Sequence, residues 1–192
     1  MTLTTLDSKT ALIVVDLQNA ILAYPVAHPS AEVIARAAEL ADAFRSRGLP
    51  VVLVNAAGGA PGRTETPPRA AFGQGTSDPL GIVPELKQSE TDHLVTKRTW
   101  GAFTGTDLDA YLKGEGVTQV VVCGIATSAG VESTARHAHE NGYNVTLASD
   151  AMTDRSVEAH DYVVSQVFPR LGETGTTAEI IELLERTHPV NS

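Results

Sequence analysis

One cysteine, Cys123, stands in 192 residues, so no internal disulfide can form and a disulfide-built secreted scaffold is excluded. Basic residues are scarce. Fourteen Lys and Arg face 23 Asp and Glu, for a net charge of −9, and no basic run exceeds Lys97-Arg98. Phosphate backbones are held by clustered Lys and Arg, so nucleic acid is not an expected partner. No apolar run approaches the ~18 residues of a membrane span, and Met1 to Thr10 lacks the basic-then-apolar order of a signal peptide. Charged residues are only 19% of the chain and hydrophobic ones 42%, which sets it apart from a disordered acidic chain. These absences leave the expectation of an acidic, cytoplasmic, globular protein, with residues 1–192 forming a single domain that needs neither disulfide nor metal to hold its core.

Five short apolar runs are present: Ala11 to Val15, Val51 to Val54, His93 to Thr96, Gln119 to Cys123 and Asn144 to Ala148. They are β-branched and nearly continuous rather than alternating, the pattern of parallel strands covered on both faces. Helical spacing lies between them: Ser30 to Arg47, ending before Gly48, then Thr106 to Lys113, Ser128 to Glu140, Ser156 to Val167 and Thr177 to Arg186. Strands alternating with helices imply βαβ units. The expected fold is therefore a three-layer α/β/α, doubly wound, mainly parallel sheet of five or six strands. Asn55 to Leu80, rich in Gly, Pro and Ala, follows the second strand, so it should overhang the carboxyl edge where such sheets bind ligands.

Two charged residues end strands on that edge. Asp16 directly follows Val15, and Lys97 ends Val95-Thr96-Lys97. A charge closing a buried strand is costly unless paired or used. Lys97 is placed to stabilise an anion, either Asp16 or charge developing on a substrate, although turn-capping for Asp16 and a solvated loop position for Lys97 are the bland alternatives. The turn Gly124-Ile-Ala-Thr-Ser-Ala-Gly130 joins the fourth strand to a helix and presents backbone N–H groups suited to an anion or oxyanion. Within it Thr127 or Ser128 is the natural helix cap, with Glu132 near the capping-box position.

Sharper motifs are missing. No Gly-x-Gly-x-x-Gly or Walker loop supports nucleotide binding, and no Gly-x-Ser-x-Gly elbow supports a serine triad. His137 and His139 are two apart and face different sides of a helix, which disfavours a zinc site. Cys123, inside a strand, reads as an inert core thiol.

Taken in order, Ala11 to Asn19, Thr96 to Phe103 with Gly105 to Leu108, Val121 to Arg136, Asp150-Ala151 and Thr176 to Glu179 resemble the isochorismatase-like hydrolases, also called cysteine hydrolases. The resemblance implies Asp16 as catalytic aspartate, Lys97 as catalytic lysine, and Gly124 to Gly130 as the nucleophile turn with substrate-binding Ala126 and Thr127. It also implies a cis peptide at Ile125-Ala126 and a homo-oligomer, dimer or tetramer. In the amide-hydrolysing members the turn reads Gly-x-Ala-Thr-x-x-Cys, and here the cysteine position is Gly130. Glycine carries no nucleophile, so the thioester route is closed. Ser128 lies about 200° around the helix from that position and substitutes poorly. Val54 to Gly58 holds none of the histidines that nicotinamidases place after the second strand, so no catalytic metal and no cofactor are expected.

True isochorismatases also carry glycine at this position and hydrolyse a vinyl ether with the aspartate as general acid. The resemblance thus points to a small, anionic substrate, with Arg63 and Arg69 of the long loop as the candidate cations and Trp100 and Phe103 as pocket walls. A general acid must hold a proton, yet a neighbouring lysine lowers an aspartate's pKa, so Asp16 as acid and Asp16 as water-activating base both stay open at the level of sequence. The alternatives are a binding or assembly protein of the same fold, and an amide hydrolase using another nucleophile such as Ser128.

Overall fold

The computed structural model describes residues 3–60, 62–65 and 76–189. Six strands form one sheet: β1 (Thr10–Val15), β2 (Val51–Ala56), β3 (His93–Lys97), β4 (Gln119–Ile125), β5 (Asn144–Thr153) and β6 (Glu173–Gly175). Their order is β3-β2-β1-β4-β5-β6 and every pairing is parallel, which is the expected doubly wound α/β architecture. The sixth strand, three residues long, carries no apolar run and is not among the five that periodicity marks.

All residues of β1, β2 and β4 are buried, as their uninterrupted apolar runs require. Alternation sends Leu12 and Val14 to one face and Ala11, Ile13 and Val15 to the other. The first face is covered by α2 (Ser30–Arg45) and α6 (Thr177–Thr187), α1 being the single turn Asn19–Leu22. In α2 the buried Val33, Ala37, Leu40, Ala41 and Phe44 recur three and four apart, so one stripe of the helix docks. The opposite face is covered by α3 (Leu108–Gly114), α4 (Glu132–Glu140) and the segment running from α5 (Val157–Tyr162) through a π-type turn at Val163–Val167. A capping box, Thr176 with Glu179, starts α6. Among the described residues, no helix is long and apolar enough to cross a membrane.

Connections run one way from β1 through β2 to β3, and the other way from β4 to β6. The crevice at this reversal opens at the carboxyl ends of β1 and β4, where a doubly wound sheet binds its ligand.

Candidate active site

β1 ends at Val15, and the backbone leaves the sheet through Asp16 at φ 55°, a left-handed conformation that Asp tolerates better than most residues. Its N–H still donates to Val54 O at 2.9 Å, so the turn is tied to β2. Two residues on, the buried Gln18 exchanges hydrogen bonds with the end of β2: its Nε2 donates to Ala56 O at 3.1 Å and its Oε1 accepts from Ala56 N at 2.6 Å. The aspartate therefore stands on rigid backbone.

Lys97 ends β3, which is not the neighbour of β1; β2 lies between. It sits opposite Ala56, a side chain small enough to let it reach across β2. Lys97 Nζ donates to Asp16 Oδ2 at 2.8 Å and to Thr99 O at 3.2 Å. Both side chains are almost wholly buried. Among the described residues the second carboxylate oxygen, Oδ1, is buried and has no hydrogen-bond partner. Burial dominates the Asp16 carboxyl and lifts its pKa to about 6, against the opposing pull of Lys97. Of the two opposing influences on this carboxyl, desolvation is the larger.

The third wall is the turn after β4. Gly124, at φ 119°, packs so closely on β1 that a Cβ would overlap the Val15 carbonyl. The Ile125-Ala126 peptide is cis. The chain then makes a π-type turn, Thr127–Val131, before α4 begins at Glu132. Expected capping by Thr127 or Ser128 does not occur. Thr127 is buried and its Oγ1 pairs with His160 Nδ1 at 2.8 Å, while Ser128 N–H is taken by Asp154 Oδ2 at 2.6 Å. The His28 and His160 rings meet at a steep angle with centroids 4.7 Å apart, and burial together with His28 holds the His160 imidazole below its ordinary pKa. Gly130 faces Asp16. A Cβ there would stand 3.1 Å from both Asp16 Oδ2 and Val15 Cγ1, so the aspartate occupies the space that a side chain at this position would need.

These elements enclose a cleft of about 180 Å³ lined by Asp16, Lys97, Ala126 and Gly130, with Trp100 on its rim. Other expected residues lie elsewhere. Phe103 is packed in the core near Tyr143, because the turn after β3 folds it back onto the sheet face. Thr127 is drawn away from the cleft by His160, and Ser128 does not line it either. Arg63 is exposed and is not among the lining residues, and Arg69 lies outside the described residues. Cys123 is wholly buried and its thiol is pushed up to about 12, chiefly by burial.

The Isochorismatase domain profile matches residues 10–179, from the first residue of β1 into α6. The chain belongs to the isochorismatase family. It is 41% identical to the isochorismatase family protein YwoC of Bacillus subtilis (strain 168) over 91% of this chain and 93% of that one. It is 38% identical to the isochorismatase family protein YecD of Escherichia coli O157:H7, over 93% and 98%. The crystal structure of an isochorismatase family protein from Burkholderia thailandensis superposes with a TM-score of 0.88 at 42% identity, covering 94% of this chain and 98% of that chain.

For this isochorismatase-family cleft, reading along the sequence misses Tyr24, Arg155 and the buttress Asp154. The last two arrive because β5 continues to Thr153, five residues beyond the apolar run that ends at Ala148. Ser149 and Asp150 interrupt the hydrophobic pattern there, and only the register shift of β5 against β4 between Val122 and Gly124 brings the second half back into the sheet. Tyr24 follows α1, a four-residue helix too short to show a period.

Proposed function

We propose that the protein is a hydrolase that needs no cofactor, in which Asp16 is the general acid, Lys97 its electrostatic partner and Gly130 the residue that leaves room for the carboxyl. The observation that carries this reading is the half-satisfied carboxyl: Lys97 holds Oδ2, while the buried Oδ1 has no partner among the described residues. Its pKa near 6 makes a proton available close to neutrality, which general acids require. The favoured reaction is vinyl ether hydrolysis. Asp16 donates its proton to the terminal alkene carbon, and the positive charge that develops at the ether carbon is relieved by water. The hemiketal then breaks its C–O bond to release an alcohol and a ketone, and the proton lost by water restores Asp16. Water is the sole co-reactant, and no covalent enzyme intermediate is formed, in keeping with glycine at position 130.

The test is a pyruvate-release assay on isochorismate with wild type and Asp16→Asn side by side, across pH. Pyruvate from wild type alone is expected, with kcat/KM falling as pH rises above about 6, because the reactive form is protonated. A rate that instead rises through that pH makes Asp16 a base. No pyruvate from wild type removes the vinyl ether reaction.

A further inference from the structure

Fourteen described residues line the cleft, and three of them are charged: Asp16, Lys97 and Arg155. The first two are paired at 2.8 Å, and with Asp16 protonated or ionised their sum is never negative. The Arg155 guanidinium makes no ion pair among the described residues, and it stands over the Tyr24 ring, 5.6 Å from the centroid. The cleft is thus locally cationic in a chain of net charge −9. Nor is Arg155 a casual surface residue. Its backbone N–H donates to Asp154 Oδ1 at 2.7 Å, and the other oxygen of that carboxylate accepts from Ser128 N in the Gly130 turn at 2.6 Å. One carboxylate therefore fixes the base of Arg155 relative to the turn facing Asp16. Of the remaining lining residues Tyr24 and Trp100 are aromatic and most others apolar. About 180 Å³ is slightly more than the roughly 150 Å³ that houses a benzene ring.

We propose that Arg155 is the specificity-determining residue of this cleft, selecting a ring-sized molecule that bears a carboxylate. The guanidinium, steadied on the Tyr24 face, takes the carboxylate through its fork of N–H donors, and the ring lies against the aromatic and apolar wall beside Asp16. This assignment rests on the reading of the cleft as the active site, and it moves anion recognition from the long loop after β2 to the end of β5.

Benzoate and its neutral counterpart benzamide are the probes. Calorimetry measures their affinities for wild type, Arg155→Met, Arg155→Lys and Asp16→Asn, and the fluorescence of Trp100, the one tryptophan of the chain, reports whether the ligand is in the cleft. Expected is saturable benzoate binding to wild type that perturbs Trp100, weakened at least tenfold in Arg155→Met and partly regained in Arg155→Lys. Benzamide should bind weakly and equally to all, and Asp16→Asn, which frees the Lys97 cation, should bind benzoate at least as tightly as wild type while losing turnover. Arg155 is exposed, so unchanged melting temperatures should accompany its variants. Equal benzoate affinity in wild type and Arg155→Met, benzamide binding as tightly as benzoate, or no saturable benzoate binding overturns the assignment. Turnover that still depends on Asp16 in that case leaves the hydrolase reading standing.

Discussion

Two ion pairs of the same length, each with a buried carboxyl, differ in how that carboxyl is satisfied. Arg45 in α2 meets Asp92, just before β3, at 2.8 Å, and Lys97 at the end of β3 meets Asp16 at 2.8 Å. Burial does not separate them, since the Asp92 side chain is 1% exposed and that of Asp16 8%. Satisfaction does. Asp92 takes two parallel bonds from the Arg45 fork, at 2.9 and 2.8 Å, and a third from Ser89 N at 2.8 Å. Asp16 takes one bond from Lys97 on Oδ2, and its Oδ1 takes none among the described residues. A carboxylate with both oxygens engaged pins a helix to a strand. A carboxyl with one oxygen left over in a desolvated cleft holds its proton to a higher pH than usual, which is what the proposed role of general acid asks of it.

The sharpest way to break this comparison is to neutralise each acid in turn. Asp16→Asn is expected to lower turnover by about 10²–10⁴-fold, the usual worth of a positioned general acid, in a rate assay run beside a melting curve. Asp92→Ala should do the converse. It leaves Arg45 with only the exposed Asp42 at 3.3 Å, so it should cost about 3 kcal/mol of stability in a denaturant titration and leave the rate per folded molecule unchanged.

Next in size is a pH effect on stability. The Asp16 carboxyl binds its proton more tightly in the folded chain, about 6 against 3.8 for the free side chain, so folding is favoured by the protonated form. That contribution, of order 3 kcal/mol, is present in full below about pH 4 and is lost as pH rises through about 6. Subtracting the Asp16→Asn stability curve from that of wild type should expose this loss. A flat difference between pH 4 and 7 would show that burial does not raise the carboxyl.

Gly130→Ala should cost about tenfold in rate, because its Cβ would crowd Asp16 Oδ2 and Val15 Cγ1 at 3.1 Å and must displace one of them. Smallest of all is Cys123→Ala, expected to leave turnover at the wild-type level. The native thiol, pushed up to about 12, should resist alkylation until the chain unfolds, and rapid labelling of folded protein would contradict its burial.

The residues that make the site legible in the sequence are those ending uninterrupted apolar runs. Asp16 ends a wholly buried strand, and Lys97 ends β3, which proves to be an edge strand with Leu94 and Thr96 exposed rather than covered on both faces; a doubly wound sheet brings the carboxyl ends of both to one edge. The misplaced residues share a different feature: each lies in a turn, where the side chain's direction depends on what stands across from it. Thr127 turns toward His160, and Phe103 folds into the core beside Tyr143.

The parallel sheet and the meeting of an aspartate with a lysine at its edge follow from hydrophobic periodicity and from where charge interrupts it, both of which are local properties of the chain. Whether Asp16 holds a proton is not local. It depends on how completely the cleft excludes water, set by residues gathered from five separate stretches of the chain, and on which carboxylate oxygen is reached by Lys97, 81 positions away. The same holds for Arg155, which reaches the cleft only because β5, after two polar residues, regains its pairing with β4.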